Sequence, residues 1–83
     1  MELAIVKYAA GIRAFGHHLR RLRRARKLTQ EALADYADIS RPTVQRIEKG
    51  ETAATLEVML ALAHALQLSS RELVDAPGID QVD

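Results

Sequence analysis

Residues 30–49 read QEALADYADISRPTVQRIEK, and the spacing of their apolar positions decides the fold. Thr29 is a good N-cap, with Gln30 and Glu31 in the first turn, so a short helix is expected to run to about Ala37. Leu33, Ala34 and Ala37 give that helix an inward face. Ser40 caps a second short helix reaching Lys49. Pro42 falls in its first turn, where a missing N–H breaks no intrahelical bond, and Gly50 sits just past its end. Two such helices cross closely only if small or branched residues stand at the contact: Ala34 first, Ile39 in the turn, then Val44 and Ile47. This leaves Arg41, Pro42, Thr43, Gln45 and Arg46 on or near an exposed, polar N-terminal half. A helix locked on one face and polar on the other can enter a major groove.

Outward from this core, Phe15, Leu19 and Leu22 place an apolar stripe on a helix from about Arg13 to Arg26, with Leu28 as a buried anchor after it. Thr55 caps a further helix, Leu56 to about Leu66, with Leu56, Met59, Leu62, Ala63 and Leu66 as its core. Ser69 or Ser70 caps a last short one, Arg71 to Asp75, ended by Pro77-Gly78. The chain is therefore expected to be all-α, with one domain over residues 13–76. Residues 77–83 read as a loose acidic tail. Residues 1–12 form an extension that could continue the first helix, make a helix of its own, or add a strand. Ile5, Val6 and Tyr8 favour strand, Ala4, Ala9 and Ala10 favour helix, and helix is the weak preference.

Composition agrees. Of 83 residues 48% are hydrophobic but only 4% aromatic, so one core of Leu, Ile, Val, Ala and Met is expected. Cysteine is absent, which excludes disulfides and thiolate metal sites and makes a reducing cytoplasm the expected compartment. The N-terminus is too short an apolar run to span a bilayer and fits a signal peptide poorly, so no membrane is expected as a partner.

The net charge of +1 hides a segregation. Seven basic residues and no acidic one lie between Arg13 and Gln30, whereas Glu51 to Asp83 holds six acidic residues and one basic. A polyanion-facing surface is the natural implication.

The stretch LRRLRRARKLTQEALADYADISRPTVQRIEKGETAATLEVMLALAHALQLSSREL resembles the Xre/Cro/cI family of helix-turn-helix DNA-binding domains. The similarity covers roughly residues 15–75. It rests on L-T-Q-E-x-L-A, I-S-x-x-x-V-x-x-I-E-x-G and T-L-E-x-x-x-x-L-A-x-A-L in that order. It implies a compact five-helix, lambda-repressor-like domain that binds double-stranded DNA, usually as a dimer and usually as a repressor or autoregulator. By this resemblance the helix from Ser40 to Lys49 is the recognition helix. Arg41, Pro42 and Arg46 then match the main base-facing positions, and Ser40, Thr43 and Gln45 match positions that touch bases or phosphate. Thr29, Gln30, Ser40 and Lys49 form the expected phosphate set, with Gln30 clamping a phosphate at its helix's N-terminus. Arg23 and Glu48 match a partly buried ion pair. Asp38, Lys27 and Gln67 stand where the family often has glycine.

The alternatives differ in class. A restriction–modification controller and a DNA-binding antitoxin with a toxin partner share the same reading head. A protein-interaction module on the same fold would use it for a protein instead. His17, His18 and His64 read as solvent-exposed rather than metal ligands, because adjacent helix positions diverge and no carboxylate or thiolate stands at ligand spacing. No nucleophile motif or phosphate loop is present, so neither catalysis nor a cofactor is expected. The surplus of apolar residues on the fourth helix, with Leu68, Leu73 and Val74, suggests a homodimer through the fourth and fifth helices.

Overall fold

A computed structural model describes residues 7–83, and among them five helices and no strand. They are α1 (Ala9–Ala25), α2 (Gln30–Ala37), α3 (Arg41–Glu48), α4 (Leu56–Ala65) and α5 (Ser70–Val74). Seven side chains with almost no exposed surface, Leu19, Leu33, Val44, Ile47, Leu62, Leu66 and Leu73, form the centre of one core, with at least one from every helix.

Caps set where the helices begin. The hydroxyls of Thr29, Ser40, Thr55 and Ser69 each accept the backbone N–H three residues on, satisfying a donor that the helix leaves orphaned. Ser69 and Glu72 close a reciprocal capping box. Hydrogen bonds from the Ser69 backbone and hydroxyl hold the Glu72 carboxyl below its usual range. The box thus supports α5 above the ordinary carboxylate pKa and releases it as pH falls to the lowered value.

The helix ends share one geometry. After α1, α2, α3 and α4 the chain turns left-handed at Lys27, Asp38, Gly50 and Gln67, with φ of 58°, 57°, 74° and 58°. At each end the next N–H reaches back five residues: Leu28 to Arg23, Ile39 to Ala34, Glu51 to Arg46 and Leu68 to Ala63. Leu28, Ile39 and Leu68 then pack against the core, which holds three of these turns without glycine. A non-glycine residue in this region costs about 1–2 kcal/mol, partly offset by the extra unfolded-chain entropy of glycine. Gln67→Gly is accordingly expected to raise stability by about 0.5–1 kcal/mol, a Tm gain of about 2–8 °C. Thermal unfolding against Gln67→Ala, which keeps a Cβ and gains nothing, checks it; a lower Tm for the glycine variant would contradict it.

Four expectations are corrected. First, the domain begins with α1 at Ala9 rather than at Arg13: residues 9–12 continue that helix, in line with the helix preference for the extension, and Ile5 and the other residues of 1–6 lie outside the described residues. Second, the acidic tail is not loose. The Asp83 carboxylate accepts from Ala10 N–H at 2.8 Å, and the Asp83 N–H donates to the Lys7 carbonyl at 2.8 Å. Tyr8 gives α1 no side-chain cap, and Asp83 answers one of its orphan donors instead. Third, His18 is buried. Its Nε2 donates to the Glu72 carbonyl at 3.1 Å and its Nδ1 accepts from Arg21 at 2.9 Å, joining α1 to α5; His17 and His64 are exposed. Fourth, Leu56 is 71% exposed and is not core.

Candidate nucleic-acid interface

The helix α3 is fixed from beneath and behind. Val44 and Ile47 face the core, and Ala34 of α2 is 2% exposed at the crossing. At the far end Glu48 accepts two hydrogen bonds from one guanidinium: Arg23 Nε to Oε2 at 2.6 Å and Arg23 Nη2 to Oε1 at 2.9 Å. Arg23 Nη1 also donates to the Leu28 carbonyl at 2.8 Å, and Gln30 Nε2 donates to Glu48 Oε1 at 3.1 Å. One buried carboxylate thus ties together the C-terminus of α1, the N-terminus of α2 and the C-terminus of α3. The hydrogen bond to Glu48 outweighs burial and holds the Arg23 guanidinium above its ordinary pKa, so the pair stays charged on the arginine side. No buried side-chain N or O among the described residues lacks a partner.

The crossing of α1 over α3 depends on Gly16. A Cβ at that position would lie 2.3 Å from the Ile47 carbonyl oxygen and 2.8 Å from that of Glu48. Gly16 is the residue that allows α1 to rest on the C-terminal carbonyls of α3.

On the free face of α3, Arg41, Pro42 and Arg46 are exposed, and Thr43 and Gln45 are half-buried at its edges. Ser40 and Thr43 are committed to one another: Ser40 Oγ accepts the Thr43 N–H at 3.2 Å, and the two hydroxyl oxygens lie 2.6 Å apart. Their first duty is therefore to cap α3. Thr29 likewise caps α2 through the Ala32 N–H at 3.0 Å, but its hydroxyl proton stays available to an outside acceptor. Gln30 is half-buried and held by Glu48, which fixes the side chain at the start of α2. Lys49 is exposed just past α3. With no acidic residue in its first turn, α3 presents the positive end of its dipole uncancelled. The structure thus exposes Pro42 and Arg46 on the face of α3 away from Val44 and Ile47, exposes Arg41 at its N-terminus, and puts Thr29, Gln30, Ser40 and Lys49 at helix ends. Arg23 and Glu48 lie behind them as support.

Sequence reasoning missed Gly16. A glycine inside an otherwise unbroken helical pattern, between Phe15 and Leu19, was the available signal, since interior glycine costs helix stability unless a backbone must approach. Among the described residues no group of His, Asp and Glu could hold a metal, and no helix is long and apolar enough to cross a membrane.

Five helices on one core, with a capped and exposed second helix after a left-handed turn at Asp38, define a helix-turn-helix domain of the lambda-repressor type. The chain belongs to the HTH_3 helix-turn-helix family, whose model matches residues 19–73. It is 42% identical over 65 residues to the uncharacterized HTH-type transcriptional regulator RghRB of Bacillus subtilis, a match covering 77% of this chain and 47% of that protein. The matched region thus spans about half the length of that curated relative. Among solved structures it is similar to the restriction-modification controller protein C.AhdI from Aeromonas hydrophila, at 40% identity and a TM-score of 0.73 over 75% of this chain and 94% of that one. It is also similar to the P22 c2 repressor in complex with a synthetic operator, at 32% identity and a TM-score of 0.69 over 76% of this chain and 96% of that one.

Proposed function

We propose that the protein is a sequence-specific DNA-binding transcriptional regulator that reads an operator with α3. One observation carries this reading: Val44, Ile47 and Glu48 lock one face of α3 into the molecule while Pro42 and Arg46 stand exposed on the other, with Arg41 exposed at its N-terminus. Arginine matches the O6 and N7 acceptors of guanine with two donors, and Arg41 and Arg46 are the residues assigned to base readout. Pro42 offers only apolar contact, suited to a thymine methyl. Thr43 and Gln45 border the same surface. Thr29, Gln30, Ser40 and Lys49 are assigned to phosphates on either side, where they fix register rather than sequence.

The protein acts as a homodimer in this reading. One eight-residue recognition helix covers few base pairs, and a second copy multiplies the contacts. Leu56, Leu60 and Val74 are 71%, 51% and 36% exposed on α4 and α5, and they border a common hollow with Met59 and Ile79. Buried against a second copy, this patch would set two recognition helices on one side of the duplex. The similarity to C.AhdI, which extends over 94% of that controller, favours a controller or autorepressor over an antitoxin.

Selection of bound sequences from a randomised duplex pool tests the reading. The expected product is a pseudo-palindrome with half-site centres about 34 Å, one helical turn, apart. Enrichment of a single half-site would contradict the dimer. No enrichment even at low salt would contradict DNA reading and leave the same surface to a protein partner.

A further inference from the structure

The reading head does not use the outward face of α1. Arg13, His17, Arg20 and Arg24 recur there at spacings of four, three and four, within an arc of about 60°. All four are exposed, and Arg21 stands beside them. Such a face is usually explained as a solvated surface, and three observations argue for more here. Arg20 and Arg21 stand four and three residues before Arg24, and like charges at those spacings destabilise a helix, so this end of the stripe works against the element that bears it. The two shallow hollows along it are lined by Arg13, His17, Arg20, Arg21 and Arg24 with small or uncharged neighbours, and no carboxylate lines either. The stripe also begins at the end of α3: a Cβ at Gly50 would lie 2.7 Å from Arg13 Cγ, so Arg13 rests on the turn between Lys49 and Glu51.

We propose that Arg13, Arg20 and Arg24 form a second contact with the bound duplex, engaging backbone phosphates that flank the base pairs covered by α3. This rests on the DNA reading above and adds a surface to it. From Arg13 to Arg24 the stripe extends about 16 Å along the helix, long enough to follow several phosphates of one strand. Charge complementarity chooses the partner: a continuous row of guanidinium groups suits a polyanion backbone, with bidentate geometry for phosphate oxygens. The contact carries no sequence information. It adds affinity and salt dependence to whatever α3 reads.

The test compares the native protein with the triple variant R13Q/R20Q/R24Q on the duplex recovered by selection, over a salt series. Each protein is measured on a long duplex and on one trimmed to the base pairs between the outermost α3 contacts. On long DNA the log K against log salt slope of the variant is expected to be shallower by up to about 2.7, from about 0.9 per lost phosphate contact, with the ranking of operator sequences unchanged. Trimming should flatten the native slope in the same way and abolish the difference between the proteins. That arm uses native protein and is independent of any folding defect in the variant. Equal slopes on long DNA, or a difference that persists on trimmed DNA, would overturn the α1 contact while leaving α3 readout intact. A native protein that bound no duplex would overturn both.

Discussion

Glu48→Ala is expected to destabilise the protein by about 3–5 kcal/mol, because it leaves the buried Arg23 guanidinium without its counter-charge. The loss is larger than one ion pair suggests. Glu48 accepts from Arg23 at 2.6 and 2.9 Å and from Gln30 at 3.1 Å, so one substitution unties three helices at once. Domains of this size have only about 4–12 kcal/mol in total, so the variant should lose a large share of its stability. The cause can be isolated with the double variant Arg23→Met/Glu48→Leu. Replacing both charges by apolar side chains of similar volume removes the uncompensated charge and should recover most of the loss. Urea unfolding of the single and double variants checks this. A double variant as unstable as the single would mean that packing at position 48, not charge, dominates.

Gly16→Ala is the second large effect. In an unencumbered helix the change stabilises by about 0.5–1 kcal/mol. Here the new methyl would sit 2.3 and 2.8 Å from two backbone carbonyl oxygens, which cannot rotate aside as a side chain would. Relief requires α1 and α3 to move apart, and overpacking of this kind costs about 3 kcal/mol. The expected result is a Tm lower by about 12–24 °C, together with weaker DNA binding because the recognition helix shifts. A Tm at or above that of the native protein would show that the helices separate freely.

These two residues differ in how far the sequence disclosed them. Arg23 and Glu48 were visible as a pair by resemblance, and the helices around them by their caps. Thr29, Ser40 and Thr55 announce helix starts because capping is a local matter between residues three apart. The turns at Lys27, Asp38 and Gln67 were visible only by resemblance, as positions where the family often has glycine; their left-handed φ comes from the structure. What escaped depends on contacts between distant parts of the chain. The ordering of the tail by Asp83 on Ala10, 73 positions away, has no local signature. Nor does the burial of His18, which follows from where α5 crosses α1 and presents the Glu72 carbonyl. Leu56 was assigned to the core because it is apolar at helical spacing, yet it lies on the face of α4 left open beside α5. Periodicity gives the existence of an apolar stripe, not whether its edge is covered by the same chain or by another. In the reading head, the exposed positions Arg41, Pro42 and Arg46 were legible from the spacing of Val44 and Ile47. The prior engagement of Gln30 by Glu48 was not, since it needs the two helix ends in register.

The proposed function stands on base readout by α3 through Arg46 and its neighbours. The most direct test is a base-substitution series over the selected operator, measured by equilibrium binding for native protein and for Arg46→Ala at one fixed salt concentration. The native protein is expected to prefer guanine at one symmetric pair of positions by about 1–3 kcal/mol, and Arg46→Ala to lose that preference while keeping the native preferences at the other positions. Identical preference profiles for the two proteins, or a uniform loss at every position, would contradict base readout by Arg46 and reduce α3 to a nonspecific contact.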